Sequence, residues 1–215
     1  MNFKKKLFII PLILVFLGSC VLLAKTTVPR GFTLEGHSVA VVAINQENAQ
    51  VYMVLELEKG LKSNDLINLI DFENIQKIFP EYPTNLIQDS SWEITAGYSK
   101  LDKNVAYLEG DELDKFIAIG EALDVGYLIV SDIDLANVHV GTAPRPKEVI
   151  AKIQSNIINV REKFVEALII ESEKKKIKKT FLGLTQEAHD QDLEYQKEAA
   201  TAAIDKVVKN ILKKL

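Results

Sequence analysis

The chain contains several short apolar runs that predict buried strands. Residues 39–44 and 127–130 are continuous apolar runs rich in β-branched residues, and this pattern is typical of strands covered on both faces. Residues 66–70 form a shorter apolar run. After the strand that ends at residue 130, a separate strand is predicted over residues 135–140.

Between these runs, apolar residues spaced three or four apart predict helices. Residues 50–62 and 111–123 fit this spacing, and Asp111 is the predicted N-cap of the second helix. Residues 72–79 fit a short helix that Pro80 ends. The stretch that follows, up to residue 110, is rich in Pro, Gly and Ser and predicts loops around one strand near Trp92.

The C-terminal third of the chain predicts longer elements. Residues 148–160 and 165–179 are predicted to form two long antiparallel strands, although the Glu and Lys residues of the second would also suit a helix. Residues 191–215 predict an amphipathic helix with an apolar face formed by Leu193, Ala200, Ile204, Val207, Val208, Ile211 and Leu215. This order of elements predicts an α+β fold: a mixed sheet with helices packed on it, ending in two long strands and a C-terminal amphipathic helix.

The N-terminus has the pattern of an export signal. Three lysines at positions 4–6 precede an apolar stretch over residues 7–17, as in secretion signals. Leu17, Gly18, Ser19 and Cys20 then resemble a bacterial lipobox, in which small residues expose the scissile bond and the thiol receives a diacylglycerol group. Since Cys20 is the single cysteine of the chain, no internal disulfide can form. We therefore expect cleavage before Cys20 and acylation of its thiol.

An uncleaved membrane anchor is the alternative interpretation. Residues 21–24 continue the apolar run, so residues 7–24 form a span just long enough for a transmembrane helix. Ordinary secretion fits less well, because Leu22 is too large for the −3 position of a cut after Ala24. All three interpretations place the folded domain outside the cytoplasm.

Length and charge limit the organisation of the protein. The chain of 215 residues is predicted to comprise a signal peptide over residues 1–19, a lipidated N-terminus and tether over residues 20–36, and one domain over residues 37–215. Removing the signal takes away three lysines and no acidic residue, which changes the formal net charge from −4 to −7. A body this acidic is not expected to bind nucleic acid, or to adhere to anionic lipid by charge alone.

The sequence lacks the motifs of the common enzyme classes. It contains no Gly-rich phosphate loop, no GxSxG and no HExxH. His37, His139 and His189 are far apart in sequence, and none has further ligands at zinc spacing. We therefore predict no catalytic residues, no cofactor and no metal site, with His37 and His139 as structural residues and His189 as a solvated one.

Two groups of polar residues each have a structural and a functional interpretation. Asp132 and Asp134 follow a buried strand, and a strand end is where open α/β sheets bind ligands, but a polar turn or solvent-facing strand positions are the favoured interpretation. Residues 173–179 carry five lysines, which on an exposed edge strand would prevent edge-to-edge pairing. The alternative for these lysines is a contact surface for an anionic polymer, lipid or acidic partner.

One segment resembles a known superfamily. Residues 119–133 read IGEALDVGYLIVSDI, which is similar to a segment of the curli-secretion lipoprotein superfamily (CsgG/LpoB-like), including the lipoprotein activators of penicillin-binding proteins. Residues 157–160 resemble a further strand of that superfamily, and the alanine-rich stretch from Glu198 resembles its closing helix. Ser131 stands where the superfamily usually has glycine. The resemblance implies the fold and an envelope location.

These observations lead to a functional hypothesis. We predict a non-enzymatic cell-envelope lipoprotein that is attached to a membrane through Cys20, faces away from the cytoplasm and binds another envelope protein. The membrane would be the outer membrane if the host has one, because Val21 does not resemble an inner-membrane retention signal. The alternatives are a subunit of an oligomeric secretion or surface-appendage complex and, less favoured, a periplasmic ligand-binding protein or enzyme that uses Asp132 and Asp134.

Overall fold

A computed structural model describes residues 26–44, 48–78, 108–138, 148–177 and 186–212 of the chain. The described part contains four helices and five strands. In chain order these elements are β1 (Ser38–Ala43), α1 (Asn48–Leu61), β2 (Asn68–Ile70), α2 (Phe72–Ile78), α3 (Gly110–Ala122), β3 (Tyr127–Val138), β4 (Glu148–Asn159), β5 (Phe164–Lys176) and α4 (Gln186–Leu212).

The five strands form one mixed sheet in the order β2-β1-β3-β4-β5. Strand β1 is parallel to both β2 and β3, whereas β3, β4 and β5 are antiparallel to one another. The predicted α+β fold with a mixed sheet, two long strands and a C-terminal helix is confirmed. The second of these strands, β5, is extended and not helical.

Helices cover the two faces of the sheet. On the first face, α1 and α4 pack against the sheet, and the apolar residues of α4, such as Ile204 and Val207, join the same core as Val41 and Ile157. On the second face, Phe116 and Ile117 of α3 lie in a smaller core. Strand β1 has neighbours on both edges and helices over both faces, which explains why its residues form a continuous apolar run.

Strand β3 is longer than the sequence predicted. It runs without a break through Asp132 and Asp134 to Val138, so the prediction of a separate strand after residue 134 is wrong. The physical reason is its pairing with β4, which continues residue by residue from Tyr127↔Asn159 to Val138↔Glu148. Backbone hydrogen bonding to β4 therefore holds the polar residues of β3 in the extended conformation.

The start of α3 also differs from the prediction. The helix begins at Gly110, and Glu109, not Asp111, occupies the N-cap position. Asp111 lies in the first helical turn together with Glu112, where a negative charge interacts favourably with the helix dipole. The helix ends before Asp124, whose φ of 54° is left-handed.

The segment before β1 packs against the domain, unlike the tether predicted up to residue 36. Phe32 and Leu34 are buried in the larger core, and the ring of Phe32 stands edge-on to that of Tyr127, with 5.9 Å between their centroids. Gly31 and Gly36 both have positive φ. The glycines that suggested a tether therefore mark turns in a folded segment.

Some predictions fall on other parts of the chain. The strand predicted near Trp92 and the apolar residue Leu215 lie outside the described residues. Within the described ranges, no helix combines the length and the apolar character that crossing a membrane requires.

A close contact between α3 and the end of β4 gives a test of the packing. A Cβ atom on Gly120 would lie 2.5 Å from Cγ2 of Val160. We expect Gly120→Ala to lower the free energy of unfolding by about 1–2 kcal/mol, because overpacking outweighs the gain in helix propensity. Urea unfolding would measure the change, and Gly120→Ala/Val160→Ala should recover part of it. An alanine variant as stable as the wild type would contradict this packing.

Candidate functional site

The predicted acylation site lies outside the described residues. Leu17, Gly18, Ser19 and Cys20 all precede Thr26, where the description begins. What the structure shows is the point at which the chain coming from Cys20 joins the domain. This junction is the candidate functional site, because it determines which surface of the domain lies near an anchored Cys20.

Thr26 and Thr27 are hydrogen-bonded to the edge of β5. The backbone of Thr27 exchanges two hydrogen bonds with Leu168, of 2.7 and 2.8 Å, in an antiparallel bridge. The hydroxyl of Thr26 donates to the carbonyl of Ile170 and accepts from its N–H, both at 2.9 Å. Four hydrogen bonds therefore fix the start of the folded chain on β5.

The covalent chain limits the distance between this junction and Cys20. Cys20 precedes Thr26 by six residues, and a fully extended chain spans at most about 3.6 Å per residue. The Cα atom of Cys20 therefore lies within about 22 Å of Thr26. The sequence analysis does not single out Thr26 and Thr27, which lie within the predicted tether; their β-branched side chains are the one signal for strand pairing that the sequence offers there.

The lysine cluster lies on an edge strand, as the favoured interpretation required. Strand β5 is the last strand of the sheet, and Lys174 and Lys176 are exposed. The Nζ of Lys174 lies 2.9 Å from a carboxylate oxygen of Glu148, and that of Lys175 lies 3.4 Å from one of Glu198. The last two lysines of the cluster lie outside the described residues.

Asp132 and Asp134 lie within β3 and not at a strand end. Both are half-buried, which agrees with strand positions that face partly towards solvent. The side chain of Gln50 donates to Oδ1 of Asp132 at 2.7 Å and to the carbonyl of Ile133 at 3.0 Å, and it accepts from the N–H of Ile133 at 3.1 Å. Because β1 ends at Ala43, the buried Gln50 amide takes over the hydrogen bonding of β3 at this point.

The histidines do not form a site in the described part of the chain. His37 is exposed and stands edge-on to the ring of Tyr127, with 5.0 Å between centroids. His139 and the side chain of His189 lie outside the description. Across the ranges that are described, no group of three or more His, Cys, Asp or Glu residues is placed to hold a metal ion.

A polar cluster lies at a β-bulge near the start of β5. The register between β4 and β5 shifts at Ile157/Ile158, and Glu166 accepts hydrogen bonds from the Tyr127 hydroxyl at 3.0 Å and the Asn159 amide at 2.9 Å. Burial and the neighbouring Glu166 raise the pKa of Tyr127 to about 12. The hydroxyl therefore stays protonated and acts as a donor, so the cluster ties three strands together.

Glu58 is a buried acid on α1 that sequence reasoning missed. It is 4% exposed, and its Oε1 has no hydrogen-bond partner among the described residues. Burial raises its pKa to about 7; Asp71 and Glu73 add to this effect, while Lys62 and the N–H of Phe72 oppose it. The sequence does not indicate this burial, because Glu58 is a single acidic residue within an otherwise regular helical pattern.

Comparisons with known proteins found solved structures of similar fold with low sequence identity. No family model matches the chain, and no curated protein matches its sequence. Similar solved structures include a PelC dodecamer from Paraburkholderia phytofirmans (10% identity, TM-score 0.44, covering 89% of this chain and 95% of that one). The LpoB C-terminal domain from Salmonella enterica (15%, 0.36, 68% and 87%) and lipoprotein GNA1162 from Neisseria meningitidis (11%, 0.35, 75% and 96%) are also similar.

LpoB is one of the proteins named in the resemblance described above, and GNA1162 is a lipoprotein. All three similarities have TM-scores below 0.5 and identities of 15% or less. Membership of the superfamily stays a prediction.

Glu58 gives a pH-dependence that can be tested. Its pKa of about 7 in the folded protein exceeds the ordinary value of 4.5, so between these values the folded state holds the proton more tightly than the unfolded state. The free energy of unfolding should therefore fall as the pH rises from about 4.5 to about 7, and stay low above pH 7. Glu58→Gln should remove this fall and stabilise the protein at pH 8 by about 1–3 kcal/mol.

Urea unfolding between pH 4.5 and 8.5 measures the effect. Glu56→Gln is the matched control, since Glu56 lies near the surface of the same helix beside Lys59, and it should leave the pH profile unchanged. Identical profiles for the wild type and Glu58→Gln would show that Glu58 does not titrate in this range.

Proposed function

We propose that this protein is a non-enzymatic envelope lipoprotein that is anchored through acylated Cys20 and binds another envelope protein through its α+β domain. The observation that carries the proposal is the short distance between the lipobox and the fold. Cys20 ends the lipobox, and six residues later Thr26 is already hydrogen-bonded to β5. The domain would therefore lie next to the membrane and face away from the cytoplasm, on the outer membrane if the host has one.

The proposed mechanism is tethered docking. A diacylglycerol group supplies two acyl chains, and two chains give stable membrane attachment where one does not. Confinement of the domain to the membrane surface raises its effective concentration towards partners on that surface. The short connection also restricts the orientations in which the domain can meet a partner.

The second face of the sheet supplies a surface suited to protein binding. The residues that pack with α3 come from β1, the first residues of β3 and the end of β4, such as Val42, Val130 and Ile158. Further along this face, the half-exposed Gln154 of β4 and Ile170 of β5 lie opposite each other, and we call these two residues the distal sheet face. A mixture of apolar and polar side chains of this kind is typical of non-obligate interfaces.

The anchor is tested by substituting the cysteine in the full chain. We expect the mature wild-type protein to begin at Cys20 with added acyl mass and to fractionate with membranes, and Cys20→Ser to lack the acyl mass. Intact mass spectrometry and membrane fractionation measure these changes. Ser19→Ala, which keeps a small residue in the lipobox, is the control and should be processed normally. Retention of residues 1–19 without added acyl mass in the wild-type protein would instead support the uncleaved anchor.

Partner binding is tested by photo-crosslinking in intact envelopes. A photoreactive amino acid at Gln154, on the distal sheet face, should crosslink to a second envelope protein. The same amino acid at Glu112, an exposed position on α3, is the control and should give little product. Crosslinks from Gln154 to copies of this chain alone would favour the oligomeric alternative, and no crosslink would count against binding through this face.

A further inference from the structure

Strand β5 carries two exposed lysines beyond Ile170, on the side towards which the N-terminal end of the described chain points. The bridge between Thr27 and Leu168 is antiparallel, and Thr26 lies beside Ile170. Thr26 and Thr27 therefore run along β5 with their N-terminal end towards Ser172 and Lys174. The turn between β4 and β5 lies in the opposite direction.

The distance from Ile170 to the two lysines is comparable with the maximum length of the chain between Thr26 and Cys20. A strand rises about 3.3 Å per residue, so Lys174 and Lys176 are about 13 and 20 Å beyond Ile170 along β5. Cys20 lies within about 22 Å of Thr26. A membrane that holds the acyl chains of Cys20 can therefore reach this end of β5 without any change in the described fold.

Alternation along β5 separates its charges between two faces. Glu173 and Lys175 point towards α4, where they pair with Lys206 at 2.6 Å and Glu198 at 3.4 Å. Lys174 and Lys176 occupy the opposite face together with Ser172. Glu173 is thus neutralised on the α4 side, whereas the opposite face carries Lys174 and Lys176 beside the carboxylate of Glu148, which pairs with Lys174 and is opposite Lys176 in the strand register.

These two cations are available to an external anion. The side chain of Lys174 remains 54% exposed in its pair with Glu148, and exposed pairs of this kind contribute little to stability. Lys176 is exposed and makes no ion pair within the part of the chain that the structure describes. Both ammonium groups can therefore turn towards a phosphate group that approaches this end of the strand.

We propose that the lysine end of β5, defined by Lys174 and Lys176, faces the membrane that holds Cys20 and contacts the phosphate groups of its anionic lipids. This inference rests on the acylation of Cys20 proposed above. The mature chain has a formal charge of −7 and would not approach anionic lipid unaided. Once the anchor holds it at the surface, local attraction at two lysines determines which side of the acidic domain faces the lipid.

The opposite end of β5 provides the competing orientation. Phe164 is 46% exposed there, next to Lys163, which pairs with Glu121 at 2.8 Å. An aromatic ring beside a cation also suits a membrane interface. This end lies beyond Leu168, away from the N-terminal end of the described chain at Thr26, so the geometry favours the lysine end.

Thiol protection in vesicles tests the orientation of the full acylated protein. Ser172→Cys places a reactive thiol on the same face as Lys174, and the thiol of Cys20 is blocked by its lipid. A water-soluble maleimide should modify this thiol about fivefold more slowly in phosphatidylglycerol vesicles than in phosphatidylcholine vesicles. High salt should reduce the difference, since it screens the attraction.

Matched charge variants complete the test. Lys174→Gln/Lys176→Gln in the Ser172→Cys background should abolish the protection, whereas Lys59→Gln/Lys115→Gln, which removes two exposed lysines elsewhere, should preserve it. Equal rates in both vesicle types, or protection of a thiol introduced by Phe164→Cys in place of that at position 172, would overturn the proposed orientation. If the protein does not float with either vesicle type, the anchoring of Cys20 itself has failed.

Discussion

The antiparallel pairing of β3 with β4 is the interaction on which the rest of the structure depends. It runs from Tyr127↔Asn159 to Val138↔Glu148 and occupies the middle of the sheet. Strand β1 pairs with the first part of β3, and β5 pairs with the other edge of β4. Because β5 in turn holds Thr26 and Thr27, the position of the chain that leads to Cys20 is also determined by this pairing.

Two buried polar side chains within this framework differ in whether all their polar atoms are hydrogen-bonded. The side-chain amide of Gln50 makes three hydrogen bonds. Two of them replace the missing strand neighbour of β3 at Ile133, and the third binds Asp132. Glu58 is incompletely satisfied in the described part of the chain, and its raised pKa is the consequence of that burial. The hydrogen bonds of Gln50 extend the sheet beyond the end of β1, whereas the burial of Glu58 makes the contact between α1 and the start of α2 sensitive to pH.

The proposed function combines an anchor that the sequence predicts with a junction that only the structure shows. A lipobox by itself permits any distance between the membrane and the folded domain. The hydrogen bonds of Thr26 to Ile170 place the start of the fold six residues after the predicted acylation site, so in the proposed arrangement one edge of the sheet lies close to the lipid. A domain held in this way would present its distal sheet face to partners in a limited range of orientations.

The sequence by itself determined the strands and helices whose pattern is local, such as β1, α1 and the apolar face of α4, because burial requires their apolar spacing. It also determined the predicted role of Cys20, which rests on adjacent residues. Only the tertiary structure decided that β3 continues through Asp132 and Asp134, that Phe32 and Leu34 belong to the core, and that Thr26 binds β5. Each of these depends on a partner that is distant in the chain, from the 18 residues between Asp134 and Lys152 to the 144 between Thr26 and Ile170, and a local pattern cannot identify a partner at that distance.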